Sequence, residues 1–218
     1  MLALLAAPLW EALALPSPPR ARAAHARMAA GNEAVTFGSL DGSEVRIGII
    51  KARWHEATVD SLISGAKKAL MQDCNVPAAN IVETEVPGSF ELPLAARYLA
   101  LSGTVDAIIP VGVLIKGDTY HFEVIADQVT SGLMSVGLQT GIPILMGVLT
   151  VNDEEQAKSR STGSNNHGEQ WGKAAVEMAL LRASALGKGK KMFLGFGSTD
   201  ESDAKGAPLS GAGKPMGF

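Results

Sequence analysis

The stretch DAIIPVGVLIKGDTYHFE, residues 106–123, determines the expected fold. Its first ten residues form an apolar run typical of a strand buried on both faces. The turn KGDT (116–119) follows, and helical periodicity then begins at once, which brings His121 into the first turn of a helix. The free N–H groups and the dipole of a helix N-terminus favour anions and disfavour the imidazolium form of a histidine. The residues alone leave two interpretations: a base beside an anion site, or an N-cap at Asp118 with His121 as an ordinary surface or core residue.

The same alternation of strand and helix patterns continues along the chain. Four apolar runs have the composition of buried strands and span residues 45–51, 80–86, 105–115 and 144–150. Helical patterns follow them at about residues 59–70, 90–98, 119–139, 153–160 and 169–186. Alternation predicts right-handed crossovers, and therefore an α/β fold: a three-layer αβα sandwich with a four-stranded parallel sheet of flavodoxin-like type. Residues 35–37 are predicted to form a short additional edge strand.

Two segments flank the predicted domain of residues 35–187. Residues 1–34 join an Ala- and Leu-rich run, interrupted by Glu11, to an Arg-rich, acid-poor part that is typical of transit peptides. The apolar run is too short to remain in a bilayer. We therefore expect a targeting segment and a plastid (chloroplast) location, with a disordered segment and a cytoplasmic protein as the alternative. Residues 188–218 are rich in Gly, Lys, Ser, Asp and Pro and are predicted to be a disordered tail.

Composition excludes several classes of function. With 218 residues, of which 46% are hydrophobic and 19% charged, the chain has enough apolar residues for one globular domain. Its net charge of -3 and the lack of a basic stripe give no electrostatic basis for nucleic-acid binding. The single cysteine, Cys74, excludes an intramolecular disulfide, and no His/Cys spacing is typical of a metal site. We expect neither nucleic acid nor a membrane as a partner.

Polar and aromatic residues follow the predicted strands, at residues 53–56, 87–91, 116–121 and 150–153. Because ligands of open parallel sheets bind beyond the carboxyl ends of the strands, we expect these residues to meet at one edge. An aromatic ring at Trp54 with the carboxylate of Glu91 suits a flat heterocycle, and the turn at Gly117 suits a phosphate. Ordinary structural roles remain open as well. Trp54 can fill the core, Phe90 and Glu91 can be two faces of a helix start, Arg160 can complement a helix dipole, and His167 can be a turn residue.

Five motifs together resemble the lumazine synthase (6,7-dimethyl-8-ribityllumazine synthase) family. They are RIGIIKARW (46–54), VPGSFELP (86–93), IPVGVLIKGDTYHFEVIAD (109–127), GVLTVNDEEQAKSR (147–160) and NHGEQWGKAAVEMA (166–179). The resemblance covers about residues 45–186 and leaves out both tails. It implies a cofactor-free condensation of 5-amino-6-(D-ribitylamino)uracil with 3,4-dihydroxy-2-butanone 4-phosphate, the penultimate step of riboflavin biosynthesis. In that reaction a Schiff base forms, phosphate leaves and a ring closes.

The resemblance also implies roles for individual residues. His121 takes the place of the proton-transfer histidine, and Trp54 that of the aromatic residue that stacks on the pyrimidinedione. The remaining substrate-binding positions are Ser89, Phe90, Glu91, Val113 and Leu114 for the ring and the ribityl chain, Lys116, Gly117, Asp118 and Thr119 for the phosphate loop, and Met146, Arg160 and His167. Met146 and Arg160 match positions that a neighbouring subunit contributes. We expect the carboxylate of Asp118 to point away, since it would otherwise compete with the phosphate for backbone N–H groups.

The resemblance further implies a homopentamer with its sites between adjacent subunits. Residues 35–37 match an edge strand that joins a neighbour's sheet, and some relatives assemble 60-subunit shells, a question that the sequence leaves open. Two other functions remain to be weighed: a non-catalytic lumazine or flavin binder, and a flavodoxin-like nucleotide binder. The joint presence of His121, Arg160 and Glu91 favours the enzyme. The absence of a Ser/Thr/Gly-rich loop after the first strand disfavours the nucleotide binder.

Overall fold

The computed structural model describes residues 36–187. The predicted targeting segment, Val35 and the predicted C-terminal tail lie outside the described residues. Four strands and five helices alternate along the described part of the chain: β1 (Ile47–Ala52), α1 (Glu56–Lys68), β2 (Ile81–Val86), α2 (Leu92–Leu101), β3 (Ala107–Ile115), α3 (His121–Thr140), β4 (Gly147–Val151), α4 (Glu154–Ser161) and α5 (His167–Ala185). The four predicted strands of the sheet and the five predicted helices are all found, with boundaries that differ by a few residues.

The four strands form one sheet in which every neighbouring pair is parallel, in the order β2-β1-β3-β4. The predicted α/β fold with a four-stranded parallel sheet is therefore confirmed. An isolated bridge between Ile108 and Ile144 precedes β4, which explains why the apolar run of that strand starts at residue 144. Residues 36–37 form no strand with the rest of the described chain, so their predicted pairing with a neighbouring subunit stays a prediction.

Two hydrophobic cores lie on opposite faces of the sheet, because successive side chains of a strand point to opposite sides. Ile49 packs beneath α1, α4 and α5, whereas Ile50 packs beneath α2 and α3. Both side chains are fully buried, and each such burial stabilises the fold by about 1.5–3 kcal/mol. Helices α1 and α5 approach closely: a Cβ added to Gly168 would lie 1.9 Å from the carbonyl oxygen of Leu62. Only glycine fits at position 168.

Asn166 fastens three helices at one point. Its Oδ1 accepts a hydrogen bond of 2.9 Å from the backbone N–H of Gly168 and so caps α5. Its Nδ2 donates to the carbonyl oxygens of Ser61 in α1 and Ser161 in α4, at 2.8 Å each. The end of α4 is thus fixed against the two helices that cover the same face of the sheet.

The sheet order places the site. The chain leaves β1 through α1 on one face and enters β3 from α2 on the other, so a crevice opens at the carboxyl ends of the neighbouring strands β1 and β3. Ligands of doubly wound sheets bind at such a point. Among the described residues, no helix is both long enough and apolar enough to cross a membrane.

Candidate active site

A cleft of about 610 Å³ opens at the carboxyl edge of the sheet, on the side of α2 and α3. The loops after β1 and β2, the end of β3 and the first turns of α3 form its wall. Its lining residues are Trp54, His55, Pro87, Gly88, Ser89, Phe90, Glu91, Val113, Leu114, Ile115, His121 and Ile125. The structure therefore brings together seven of the residues that were predicted for the site: Trp54, Ser89, Phe90, Glu91, Val113, Leu114 and His121.

Trp54 and Glu91 flank Gly88. A Cβ added to this glycine would lie 3.3 Å from Trp54 Cδ1 and 3.3 Å from Glu91 Oε2, so the ring and the carboxylate stand close to the same backbone. The side chain of Trp54 is 71% exposed and that of Phe90 is 61% exposed. The interpretation of Trp54 as a core residue is wrong. Two exposed aromatic rings beside one carboxylate suit a flat ligand with N–H donors at its edge.

Ser89 is buried at the floor of the cleft, where it packs against β3. A Cβ added to Gly112 would lie 2.6 Å from Ser89 Oγ, so glycine at this position of the strand makes room for the serine. The next two residues of β3, Val113 and Leu114, contribute apolar surface to the cleft. The floor is therefore rigid, since it consists of a central strand and the short 3-10 turn Ser89–Glu91.

His121 is the first residue of α3 and lines the cleft. Ile125 lies one helical turn later and lines it too. Tyr120 is the N-cap, and its side chain makes no capping bond within the described chain. The alternative with Asp118 as the N-cap is wrong, because α3 begins two residues later than the sequence pattern predicts. The start of α3 thus keeps backbone N–H groups for a ligand.

The loop between β3 and α3 carries four predicted phosphate-loop residues, all of them exposed: Lys116, Gly117, Asp118 and Thr119. An ion pair joins Lys116 Nζ to Glu123 Oε1 in the first turn of α3, at 2.8 Å. The hydrogen bond from Lys116 lowers the pKa of the Glu123 carboxyl group. The backbone around Gly117 has open space, since an added Cβ would meet no atom within 4 Å. The loop is fastened at both ends and accessible in the middle.

Seven predicted site residues do not line this cleft: the four loop residues 116–119, and Met146, Arg160 and His167. Arg160 donates from Nη1 to the carbonyl oxygen of Gln156 at 3.1 Å, within α4. The ring of His167 meets the ring of Trp171 edge to face, with centroids 6.4 Å apart. Burial, followed by the nearby positive charge of Arg160, lowers the pKa of His167. Arg160 and His167 form a separate group at the end of α4 and the start of α5, and Met146 directly precedes β4.

A family model and several curated relatives place this chain among known proteins. The family model for 6,7-dimethyl-8-ribityllumazine synthase matches residues 44–183. The 6,7-dimethyl-8-ribityllumazine synthase of Pyricularia oryzae is 43% identical in an alignment of 188 residues. The coverage is 68% of this chain and 94% of the relative. The protein of the same name from Schizosaccharomyces pombe is 48% identical over 143 residues, with coverage of 65% and 90%. The chain belongs to the 6,7-dimethyl-8-ribityllumazine synthase family.

The match to the lumazine synthase family spans both groups of residues, the cleft and the group that includes Arg160. It also extends beyond fungal proteins, because the 6,7-dimethyl-8-ribityllumazine synthase of the archaeon Thermococcus kodakarensis is 39% identical over 147 residues, with coverage of 67% of this chain and 92% of the relative. The predicted family is thereby confirmed. The roles of the individual site residues stay predictions.

Some residues of the lumazine synthase cleft were not predicted as binding residues. His55, Pro87 and Gly88 lie just after β1 and β2, so the sequence placed them at this edge of the sheet but gave them no binding role. Ile115 ends β3, and Ile125 follows His121 at helical spacing. A second cleft of about 500 Å³ shares His55 and Ile115 with the first and lies between α1 and α4.

Proposed function

We propose that this chain catalyses the condensation of 5-amino-6-(D-ribitylamino)uracil with 3,4-dihydroxy-2-butanone 4-phosphate to 6,7-dimethyl-8-ribityllumazine, with release of phosphate and water. The observation that carries the proposal is the meeting of Trp54, Glu91 and His121 in one cleft. An exposed indole offers a stacking surface, a carboxylate accepts hydrogen bonds from ring N–H groups, and a histidine transfers protons. A protein that only binds a lumazine does not need the third group.

The site residues divide the reaction among them. The pyrimidinedione stacks on Trp54 with its polar edge toward Glu91, which directs the 5-amino group at the ketone. His121 takes up the proton released as the Schiff base forms and returns it to a leaving oxygen. The backbone of residues 117–119 holds the phosphate ester near the start of α3, where free N–H groups favour the anion. The C–N bonds form as water and phosphate leave, so electrons are neither gained nor lost overall and no cofactor is needed.

We propose that the site is completed in a homopentamer, by Met146 and Arg160 of an adjacent subunit. Within one chain Lys116 is paired with Glu123, so the phosphate needs a cation from elsewhere, and a guanidinium offers it two parallel donors. An exposed apolar stripe on α2, α3 and the residues just before them supports burial against another subunit. The stripe consists of Phe90, Leu94, Tyr98, Leu101, Tyr120, Val124, Met134 and Leu138.

Two further proposals concern assembly and location. The short connection between α4 and α5, the 3-10 turn Gly163–Asn165, is compatible with pentamers that join into a 60-subunit shell. The mass of the protein in solution distinguishes a pentamer from a shell.

The Arg-rich, acid-poor composition of residues 1–34 supports import into a plastid. A fluorescent fusion of this segment that stays in the cytoplasm would overturn that proposal.

The proposed reaction is tested with the full-length protein and its two substrates. Turnover is followed by the absorbance of the lumazine product and by release of inorganic phosphate, which should appear in equal amounts. Omission of either substrate is the control. An assembled protein that binds the lumazine but produces neither signal would be the non-catalytic binder and would overturn the proposal.

A further inference from the structure

Lys51 is a buried cation at the end of β1. The residue is 7% exposed and lies on the face of the sheet that α1 covers. Its Nζ is 2.7 Å from Asp60 Oδ1, 3.2 Å from Glu56 Oε1 and 3.7 Å from Glu85 Oε1. Glu56 and Asp60 belong to α1, whereas Glu85 belongs to β2 and faces Lys51 directly in the parallel ladder. One ammonium group therefore joins three elements.

The ammonium group is the centre of this cluster. The hydrogen bond with Asp60 raises the pKa of Lys51 above its ordinary value, more than burial lowers it. The side chains of the three carboxylates are more than half exposed, so their excess negative charge faces water. A buried ammonium group is tolerated only with such partners. Loss of the lysine removes all three links, while loss of one carboxylate leaves two.

The loop that carries Trp54 is held at both ends by this cation. Residues 53–55 connect β1 to α1: Lys51 lies next to the last residue of β1, and Glu56, its ion-pair partner, is the first residue of α1. His55 adopts a left-handed backbone conformation with φ 58° and ψ 43°. That conformation is unfavourable for a non-glycine residue and persists where the surroundings fix it. The ion pair with Glu56 is such a constraint.

Trp54 has little packing that could orient it independently of the loop. Trp54 is 71% exposed, and its ring lies beside Gly88, which has no side chain to hold the ring in one orientation. The same cation also contacts the strand that leads to the second wall of the cleft, since Glu85 lies near the end of β2, four residues before Ser89. Lys51 therefore couples the two loops between which a flat ring would be inserted.

We propose that Lys51 is a positioning residue that sets the orientation of Trp54 through Glu56, Asp60 and Glu85, and so determines affinity for the heterocyclic substrate. This inference rests on the proposed function only for the identity of that substrate. The phosphate loop and His121 belong to other elements, β3 and α3, and do not depend on the cluster. The effect should therefore be confined to one of the two substrates.

The test compares Lys51→Met with Lys51→Arg in the full-length protein. For Lys51→Met we expect the KM of the pyrimidine substrate to rise about tenfold, with kcat and the KM of the phosphorylated ketone near the wild-type values. Lys51→Arg should restore most of the affinity because it restores the charge. The Glu56→Gln variant, which loses one of the three links, should change the same KM in the same direction by less. It keeps the test available if Lys51→Met fails to fold.

A matched control is present on the same two elements. Lys67 of α1 pairs with Glu83 of β2, at the opposite end of the helix from the cleft. Lys67→Met removes a more exposed ion pair between α1 and β2 without touching the loop, and both KM values should stay unchanged. An equal rise of both KM values in Lys51→Met, or the same change in Lys67→Met, would show a merely structural role and overturn the inference.

A spectroscopic measurement separates this inference from the proposed function. The chain contains three tryptophans, so Trp10→Phe and Trp171→Phe leave Trp54 as the sole reporter. In that background, Lys51→Met should lower the fluorescence anisotropy of Trp54, and Lys67→Met should not. The measurement needs no substrate, so it decides the positioning role even if the protein shows no turnover. Unchanged anisotropy with an unchanged KM would refute the role.

Discussion

Lys116 Nζ lies 2.8 Å from Glu123 Oε1, so an ion pair spans the loop that connects β3 to α3 and fastens both of its ends. The pair fixes the backbone of residues 117–119 beside His121. The pair also engages Lys116, the cationic residue of the loop, with a carboxylate of the same chain. The pair thus makes Lys116 a support of the loop and leaves the charge of the phosphate to be met by another group.

Glu123→Gln should loosen this loop. Because both partners are partly exposed, the melting temperature should change little. The KM for the phosphorylated ketone should rise about three- to tenfold, since the N–H groups are less well ordered before binding. The KM for the pyrimidine substrate serves as the internal control and should not change. A lower KM for the ketone would instead mean that the freed Lys116 binds the phosphate itself.

His121→Ala should slow turnover by about 10²–10⁴ while binding of the lumazine product stays close to wild type. His121 is the first residue of α3, and the proposed function assigns it proton transfer and little part in holding the ring. His121→Gln retains a polar side chain but cannot transfer a proton, so it should be equally slow. Pre-steady-state kinetics and product titration measure the two effects. A strong loss of affinity with normal kcat would contradict this assignment.

Arg160→Ala should raise the KM for the phosphorylated ketone, and Arg160→Lys should restore it only in part, because an ammonium group lacks the planar fork of a guanidinium.

A mixing experiment tests where this residue acts. If Arg160 acts across an interface, His121→Ala and Arg160→Ala subunits that are refolded together in equal amounts form some intact sites. Up to about a quarter of wild-type activity should then return, since both halves of a site must be intact. No recovery in mixed oligomers would place both residues in the same subunit's site.

Gly168→Ala should destabilise the fold by about 1–3 kcal/mol or more through overpacking, because its Cβ would lie 1.9 Å from the Leu62 carbonyl oxygen and α5 would have to move from α1. Gly117→Ala is the matched control, because a Cβ added at Gly117 would meet no atom within 4 Å. Its stability should be unchanged within about 0.5 kcal/mol, yet it should bind the phosphorylated ketone less well. Urea denaturation gives the first comparison and substrate kinetics the second.

Acid stability should depend on Asp106, which accepts two hydrogen bonds of 3.1 Å from the Arg46 guanidinium and one of 3.0 Å from its backbone N–H. Partial burial opposes ionisation, but these bonds hold the pKa of Asp106 below its ordinary value of 3.8. A lowered pKa stabilises the fold above pH 3.8 and loses this contribution as pH falls through the folded value. Asp106→Asn should cost about 1 kcal/mol or less near pH 6, since Arg46 is well exposed. The difference from wild type should disappear once the pH is below the lowered pKa of folded Asp106.

The fold was predictable because its main signals are local. Apolar runs such as residues 107–115 and the spacing of helical faces specify strands and helices without reference to distant residues. The start of α3 shows the limit of this method: Asp118 looks like an N-cap in the sequence, but the loop continues to Tyr120. The start of a helix also depends on contacts of the preceding loop. Here Lys116 of the loop pairs with Glu123 in the first turn of α3.

The location of the site at the ends of the strands was predictable from the sequence. The ion pairs that support the site were not. The convergence of Trp54, Glu91 and His121 follows from the parallel sheet and the rule for ligand sites at its carboxyl edge. The burial of Lys51 among three carboxylates does not, because its partners come from a helix and a neighbouring strand whose register only the folded chain fixes. The left-handed conformation of His55 was not predicted either: histidine adopts it more often than most residues do, but only in a small fraction of cases.

The exposed apolar stripe on α2 and α3 has a consequence for a newly synthesised chain. Side chains such as Leu138, which is 79% exposed, and Tyr98 face water until another surface covers them. Contiguous apolar surface of this kind promotes aggregation. If the chain assembles as proposed, the freshly folded monomer is therefore the form most prone to aggregation, and fast assembly should lengthen its lifetime in the cell.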